Sequence, residues 1–144
     1  MNIVTKEIQF DAGHRVPLHK SKCRNPHGHR YRVVAEVQGP LQTEGSSTGM
    51  VYDFGNLKAI LQSVHDRFDH GFIAWSGDAA LLPFIPFPES DEEEWKVIIV
   101  NYHPTAENLA EDIYGFVWSW LPSTVELLSI TVWETPTSSA TYRP

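Results

Sequence analysis

Two stretches of sustained two-residue alternation limit what this chain can fold into. From Val4 the even positions Val4, Ile8, Phe10, Ala12 and His14 form a mostly apolar row broken by Lys6, while Thr5, Glu7, Gln9 and Asp11 take the odd positions. From His29 the odd positions Tyr31, Val33, Ala35 and Val37 alternate with Arg30, Arg32, Glu36 and Gln38, with Val34 the exception, as far as Gly39-Pro40. A period of two puts each row on one face of a β-strand. The first strand therefore carries His14 on its apolar face, and the second carries His27 and His29 on the continuation of its own.

The remaining segments alternate between helical and strand patterns. Residues 41–50 are a turn-rich connection. Leu57, Ile60, Leu61, Val64 and Phe68 recur at helical spacing, with Asp53 or Asn56 as the N-terminal cap. Residues 71–94, with their prolines and glycines and the acidic run of Glu89 and Asp91 to Glu94, read mainly as a solvated loop. Residues 95–101 read as a buried strand. Pro104-Thr105 opens a second helix, striped by Leu109, Ile113, Phe116, Val117 and Trp120 and ended by Pro122. A last strand begins at Val125, with Leu128, Ile130, Val132 and Glu134 on one parity. The order β-β-α-β-α-β predicts an α+β domain whose four-stranded sheet is largely antiparallel.

Bulk properties narrow the function. A chain of 144 residues fits one domain, 1–144, that buries roughly two-thirds of its unfolded surface. It has no run near the roughly 20 apolar residues of a membrane span, and its N-terminus lacks a secretory signal, so the expected location is the cytoplasm. A net charge of -7 argues against a nucleic-acid partner. Yet Arg15, Lys20, Lys22, Arg24, Arg30 and Arg32 supply six of the eleven basic residues. Such a local patch suits a small anionic ligand such as a phosphate chain.

The chemistry-bearing residues gather around that patch. Residues i and i+2 on a strand share a face about 7 Å apart, close enough for His27 and His29 to converge on one metal ion. Pairing of the two strands would add His14. Three imidazoles suit zinc and leave its fourth position for water or substrate. Cys23, the single cysteine, is a buried filler, a fourth ligand that would close the site, or a reactive thiol favoured by its cationic flanks Lys22 and Arg24. Asp69-His70 is a candidate acid-base pair, although adjacent side chains serve one site only from a turn. Glu134, on an apolar parity, needs partners: an internal arginine, or a planar heterocycle presenting two neighbouring N–H donors.

The ordered set FDAGH (10–14), C-x3-HGH (23–29), TGMVYDF (48–54), FDH (68–70), PTAEN (104–108) and WET (133–135) resembles the 6-pyruvoyltetrahydropterin synthase and 6-carboxytetrahydropterin synthase family nearly end to end. The resemblance implies the tunnelling fold, in which small sheets of several subunits join into a barrel. It also implies a homohexamer of two trimers with active sites between subunits. Carried over by residue, His14, His27 and His29 are zinc ligands, Cys23 is the catalytic thiol, and Asp69 and His70 are its acid-base partners. Glu134 is the pterin anchor, with Thr105 and Glu107 near the same ring.

The implied substrate is 7,8-dihydroneopterin triphosphate. Its products are either the 6-pyruvoyl compound or, after carbon-carbon cleavage, 6-carboxytetrahydropterin and acetaldehyde. The Cys23-x3-His27 spacing is similar to that of the bacterial 6-carboxy enzymes, which feed deazaguanine (queuosine-type) synthesis. The chain departs from many relatives in Phe68-Asp69-His70 followed by Phe72-Ile73, and in the length of 71–103. A non-catalytic zinc protein that binds pterin would need neither Cys23 nor Asp69-His70, and a zinc hydrolase would more often carry an H-E-x-x-H base, which is absent.

Overall fold

The computed structural model describes residues 1–86 and 95–144. The two alternating segments form long strands, β1 (Asn2–His14) and β2 (His27–Gly39), paired antiparallel over their whole length. Two helices follow the apolar stripes: α1 (Phe54–Phe68) and α2 (Ala106–Trp120). Of the two cap candidates at α1 it is Asp53 that acts, its carboxylate accepting from the N–H groups of Gly55 and Asn56. Thr105 caps α2 by accepting from Asn108.

Four shorter strands complete one sheet: β3 (Gly71–Trp75), β4 (Val97–Val100), β5 (Glu126–Thr135) and β6 (Ser138–Tyr142), in the order β4-β3-β1-β2-β5-β6. Among the described residues the sheet thus has six strands rather than the expected four. β3 lies inside the segment expected to be a loop. It reads poorly because it is only five residues long, and Ile73 and Ala74 are buried in succession between β1 and β4. Both its pairings are parallel, so the sheet is mixed. β6 was hidden for the opposite reason: Ser138, Ser139 and Thr141 are exposed on an edge strand with little apolar signal. The acidic residues Glu89 and Asp91 to Glu94 lie outside the described residues.

One further departure is local. A bulge between Glu36 and Val37 sets Val37 opposite Leu127 after Glu36 faces Ser129, so Leu127, not Leu128, enters the core. The helices cover one sheet face. There Leu57, Leu61, Val64 and Phe68 of α1 and Leu109, Ile113 and Val117 of α2 bury against Phe10, Tyr31, Val33, Ile130 and Val132. Full burial of each such side chain is worth about 2 kcal/mol. The other face is polar and crossed by ion pairs between neighbouring strands, Arg30 with Asp11 and Arg32 with Glu7.

Candidate active site

The end of β1 and the start of β2 carry the histidines. His14 pairs with His27 and Ala12 with His29, so the three rings share the helix-covered face. Their ligand atoms lie within 4.8 Å of one another, close enough to bind a metal. His14 is 1 % exposed, while His27 and His29 are half-buried.

The hydrogen bonds behind the rings fix what the rings present. His14 Nδ1 donates to the Pro104 carbonyl at 2.6 Å, and His27 Nδ1 donates to the Asn25 carbonyl at 2.6 Å. A carbonyl can only accept, so both neutral rings carry their proton on Nδ1 and expose a bare Nε2 lone pair. Those two Nε2 atoms face each other at 3.2 Å. Two lone pairs at that separation repel each other, and a cation held between them would relieve the contact. His29 Nε2 is buried and has no partner among the described residues. A tetrahedral ion with nitrogen ligands at about 2.1 Å places those nitrogens roughly 3.4 Å apart, close to the observed gap. Burial, opposed by the Pro104 hydrogen bond, pushes the His14 imidazolium down to about 4, and burial followed by the charge of His27 lowers that of His29. Burial thus favours the neutral forms of His14 and His29, the forms a metal ion would need.

Cys23 sits in a short 3-10 turn, Lys22–Arg24, beside the histidines. A cavity of about 510 Å³ is lined by all three histidines together with Lys22, Cys23 and Glu134. A neighbouring cavity of about 240 Å³ also touches Cys23 and Glu134 and adds Thr105 and Glu107 from the start of α2. Glu134 projects from β5 with a quarter of its side chain exposed, 3.8 Å from His14 Nε2. Among the described residues no arginine pairs with it, and the nearby His14 imidazole is neutral. Burial, then the nearby Glu107 carboxylate, raises the Glu134 carboxyl, against an opposing pull from His27. Glu134 lines both cavities together with the thiol.

The structure gathers Cys23, Thr105, Glu107, Glu134 and the three histidines but leaves Asp69 and His70 elsewhere. That pair forms the turn after α1. His70 takes a left-handed backbone, φ 56°, and this lets two adjacent side chains meet. His70 Nδ1 donates to Asp69 Oδ2 at 2.7 Å, while Asp69 Oδ1 accepts from the Asp11 N–H at 3.0 Å. The Asp11 amide, then His70, hold the Asp69 carboxyl below the usual carboxylate range. His70 lines a second cavity of about 470 Å³ with Asp11, Gly13, Gly28, Arg30 and His29, and neither Cys23 nor Glu134 reaches it.

The basic patch is also divided. Arg15, Arg30 and Arg32 are committed to Asp78, Asp11 and Glu7. Lys20, Lys22 and Arg24 form no ion pair among the described residues, and Lys22 reaches the cavity. Sequence reasoning missed His19, Ser138, Ser139 and Ala140, which also line the smaller cavity. The Thr-Pro-Thr turn after Glu134 was the available sign that the chain doubles back there.

A two-helix, mixed-sheet fold with a three-imidazole metal cradle opening on a thiol and two carboxylates defines an α+β enzyme for a small molecule. The family model described as 6-pyruvoyl tetrahydropterin synthase matches residues 3–144, and the chain belongs to that family. A relative from Haemophilus influenzae named 6-carboxy-5,6,7,8-tetrahydropterin synthase is 31% identical, with 97% of each chain covered. Among solved structures, an uncharacterized protein from Wolinella succinogenes aligns with a TM-score of 0.83 at 25% identity, covering 99% of this chain and 97% of that one. The 6-pyruvoyl tetrahydropterin synthase of Caenorhabditis elegans aligns with a TM-score of 0.66 at 28% identity, covering 100% and 97%. The fold class is the tunnelling fold of these enzymes. Among the described residues no helix is long and apolar enough to cross a membrane.

Proposed function

We propose that this chain is a zinc-dependent 6-carboxy-5,6,7,8-tetrahydropterin synthase. It converts 7,8-dihydroneopterin triphosphate to the 6-carboxy pterin with release of acetaldehyde and triphosphate, supplying a deazaguanine precursor of the queuosine type. The carrying observation is the convergence of His14, His27, His29, Cys23 and Glu134 on one cavity. The name of the Haemophilus influenzae relative favours the carbon-carbon cleaving branch.

Zinc held by the three Nε2 atoms would acidify the substrate's side-chain hydroxyls and stabilise developing negative charge on oxygen. Glu134 anchors the pterin ring through charge-assisted hydrogen bonds from neighbouring N–H groups, with Thr105 and Glu107 at the ring's edge. Lys22, exposed beside Cys23, neutralises part of the triphosphate. The Cys23 thiolate takes and returns protons along the substrate side chain, and an Asp69-His70 pair supplies the complementary transfers. Because His70 lines a different cavity of its own chain, its partnership with Cys23 is made between subunits of a homohexamer built of two trimers.

The test supplies zinc-loaded protein with 7,8-dihydroneopterin triphosphate and identifies the products by mass. Acetaldehyde with a 6-carboxy pterin is expected. A 6-pyruvoyl product without acetaldehyde would place the chain with the other branch. In the same assay Cys23→Ala should keep zinc and lose turnover; loss of zinc instead would make Cys23 a ligand.

A further inference from the structure

The turn that carries Cys23 is attached to the rest of the protein through three successive carbonyl groups. The Cys23 carbonyl accepts from the Val16 N–H at 2.8 Å. The Arg24 carbonyl accepts from Arg15 Nη1 at 3.0 Å, and the Asn25 carbonyl accepts from His27 Nδ1 at 2.6 Å. Two of these donors adjoin or belong to the histidine cluster. Arg15 follows His14 directly, and His27 is a member of it. The thiol is thereby held in register with the three imidazoles by contacts to the carbonyl groups of its turn, none of which involves its own sulfur.

Of the three donors, Val16 gives a backbone N–H and His27 belongs to the cluster itself; the third, the long Arg15 side chain, is held in place by Asp78. Arg15 Nε donates to Asp78 Oδ2 at 2.7 Å and Nη2 to Oδ1 at 2.5 Å, a two-pronged pair that leaves Nη1 for Arg24. The Asp78 side chain is 2 % exposed and that of Arg15 17 %. Asp78 is fixed in turn: its N–H donates to the carbonyl of Trp75, the last residue of β3, and its own carbonyl accepts from the backbone N–H groups of Leu81 and Leu82. A rigid line of contacts therefore runs from β3 through Asp78 and Arg15 to the turn bearing the thiol. It begins in the long segment between His70 and Pro104.

We infer that Arg15 and Asp78 are positioning residues for Cys23: Asp78 locks the guanidinium of Arg15, whose remaining arm holds the Arg24 carbonyl and the turn that presents the thiol. This rests on the reading of Cys23 as the proton-transferring group. A misplacement of about 1 Å at a reacting group costs roughly 100-fold in rate, so the brace acts on kcat more than on substrate affinity.

Full-length, zinc-loaded wild type, Arg15→Lys, Asp78→Asn and Cys23→Ala are compared for kcat, KM, zinc content, melting temperature and the rate of iodoacetamide alkylation. Cys23 is the only thiol in the chain, so alkylation reports on that turn alone. A lysine at position 15 keeps a charge for Asp78 but has no second planar arm for Arg24. Arg15→Lys is expected to keep zinc and melting temperature, lose about 10- to 100-fold in kcat with KM nearly unchanged, and alkylate several-fold faster as the turn loosens.

Wild-type kcat and alkylation in Arg15→Lys, alongside an inactive Cys23→Ala, would overturn the proposal. So would loss of zinc or of folding in both Arg15→Lys and Asp78→Asn, which would assign the pair to the fold alone. Full turnover by Cys23→Ala would refute the role of the thiol itself, and with it the catalytic purpose of the brace. The alkylation rates would then still show whether the pair holds the turn.

Discussion

The two facing lone pairs of His14 and His27 make metal removal the most informative perturbation. At 3.2 Å, with both Nδ1 hydrogens donated to carbonyl groups, the metal-free rings have two ways to relieve the contact. One ring can change tautomer and give up its Nδ1 hydrogen bond, at a net cost of about 1 kcal/mol. Otherwise one ring must take up a proton, which burial opposes at His14. Metal that binds only the folded chain adds RT ln(1 + [L]/Kd), about 2.7 kcal/mol at a hundredfold excess over Kd. For a chain of this size each kcal/mol moves the melting temperature by roughly 3 °C, so zinc at that excess should raise it by about 8 °C over chelator-treated protein. His27→Ala should abolish that increment, because two imidazoles with one partner missing hold zinc far more weakly. Differential scanning calorimetry with metal analysis on the same samples provides the measurement. Coincident melting curves with and without zinc in the wild type, or an increment that survives in His27→Ala, would refute the assignment of the three rings as one metal site.

Two further outcomes follow from single side chains. Glu134→Gln, which keeps shape but removes charge, should weaken binding of a pterin such as neopterin by about 1–3 kcal/mol in calorimetry, and an unchanged affinity would remove Glu134 from the anchor role. The hydrogen bonds from Arg15, more than any other influence, hold the Asp78 carboxyl below its unfolded value of 3.8. A depressed carboxyl stabilises the fold at pH values above 3.8, and that contribution is lost as pH falls through the lower native value. Asp78→Asn should therefore be less stable than the wild type by about 3 kcal/mol near neutrality. The two urea-unfolding free energies should draw together progressively as pH falls below the unfolded value of 3.8 and meet only below the lower native value, whereas parallel curves would mean that the pair contributes no charge-dependent stability.

Much of this protein was legible before any coordinates. The two-residue period fixed β1 and β2, and because side-chain direction in a strand follows parity alone, it also placed His14, His27 and His29 on one apolar face. The helical stripes and the capping residues Asp53 and Thr105 likewise depend on neighbours a few positions away. Local rules read them correctly. The six ordered motifs carried the family, and with it the expectation that Cys23, Glu134, Thr105 and Glu107 meet.

Contacts between distant segments decided the rest, and no local pattern encodes them. β3 owes its place to parallel partners on both sides, β6 to an edge that asks little of its sequence, and Leu127 to a bulge that shifts the register by one residue. The tautomer of His14 was set by the carbonyl group of Pro104, ninety residues away. The separation of Asp69-His70 from Cys23 within one chain, and the long reach of Asp78 to Arg15, are likewise tertiary facts. A sequence fixes which face each side chain takes, because that needs only backbone periodicity; which groups then share a cavity depends on how the sheet is assembled.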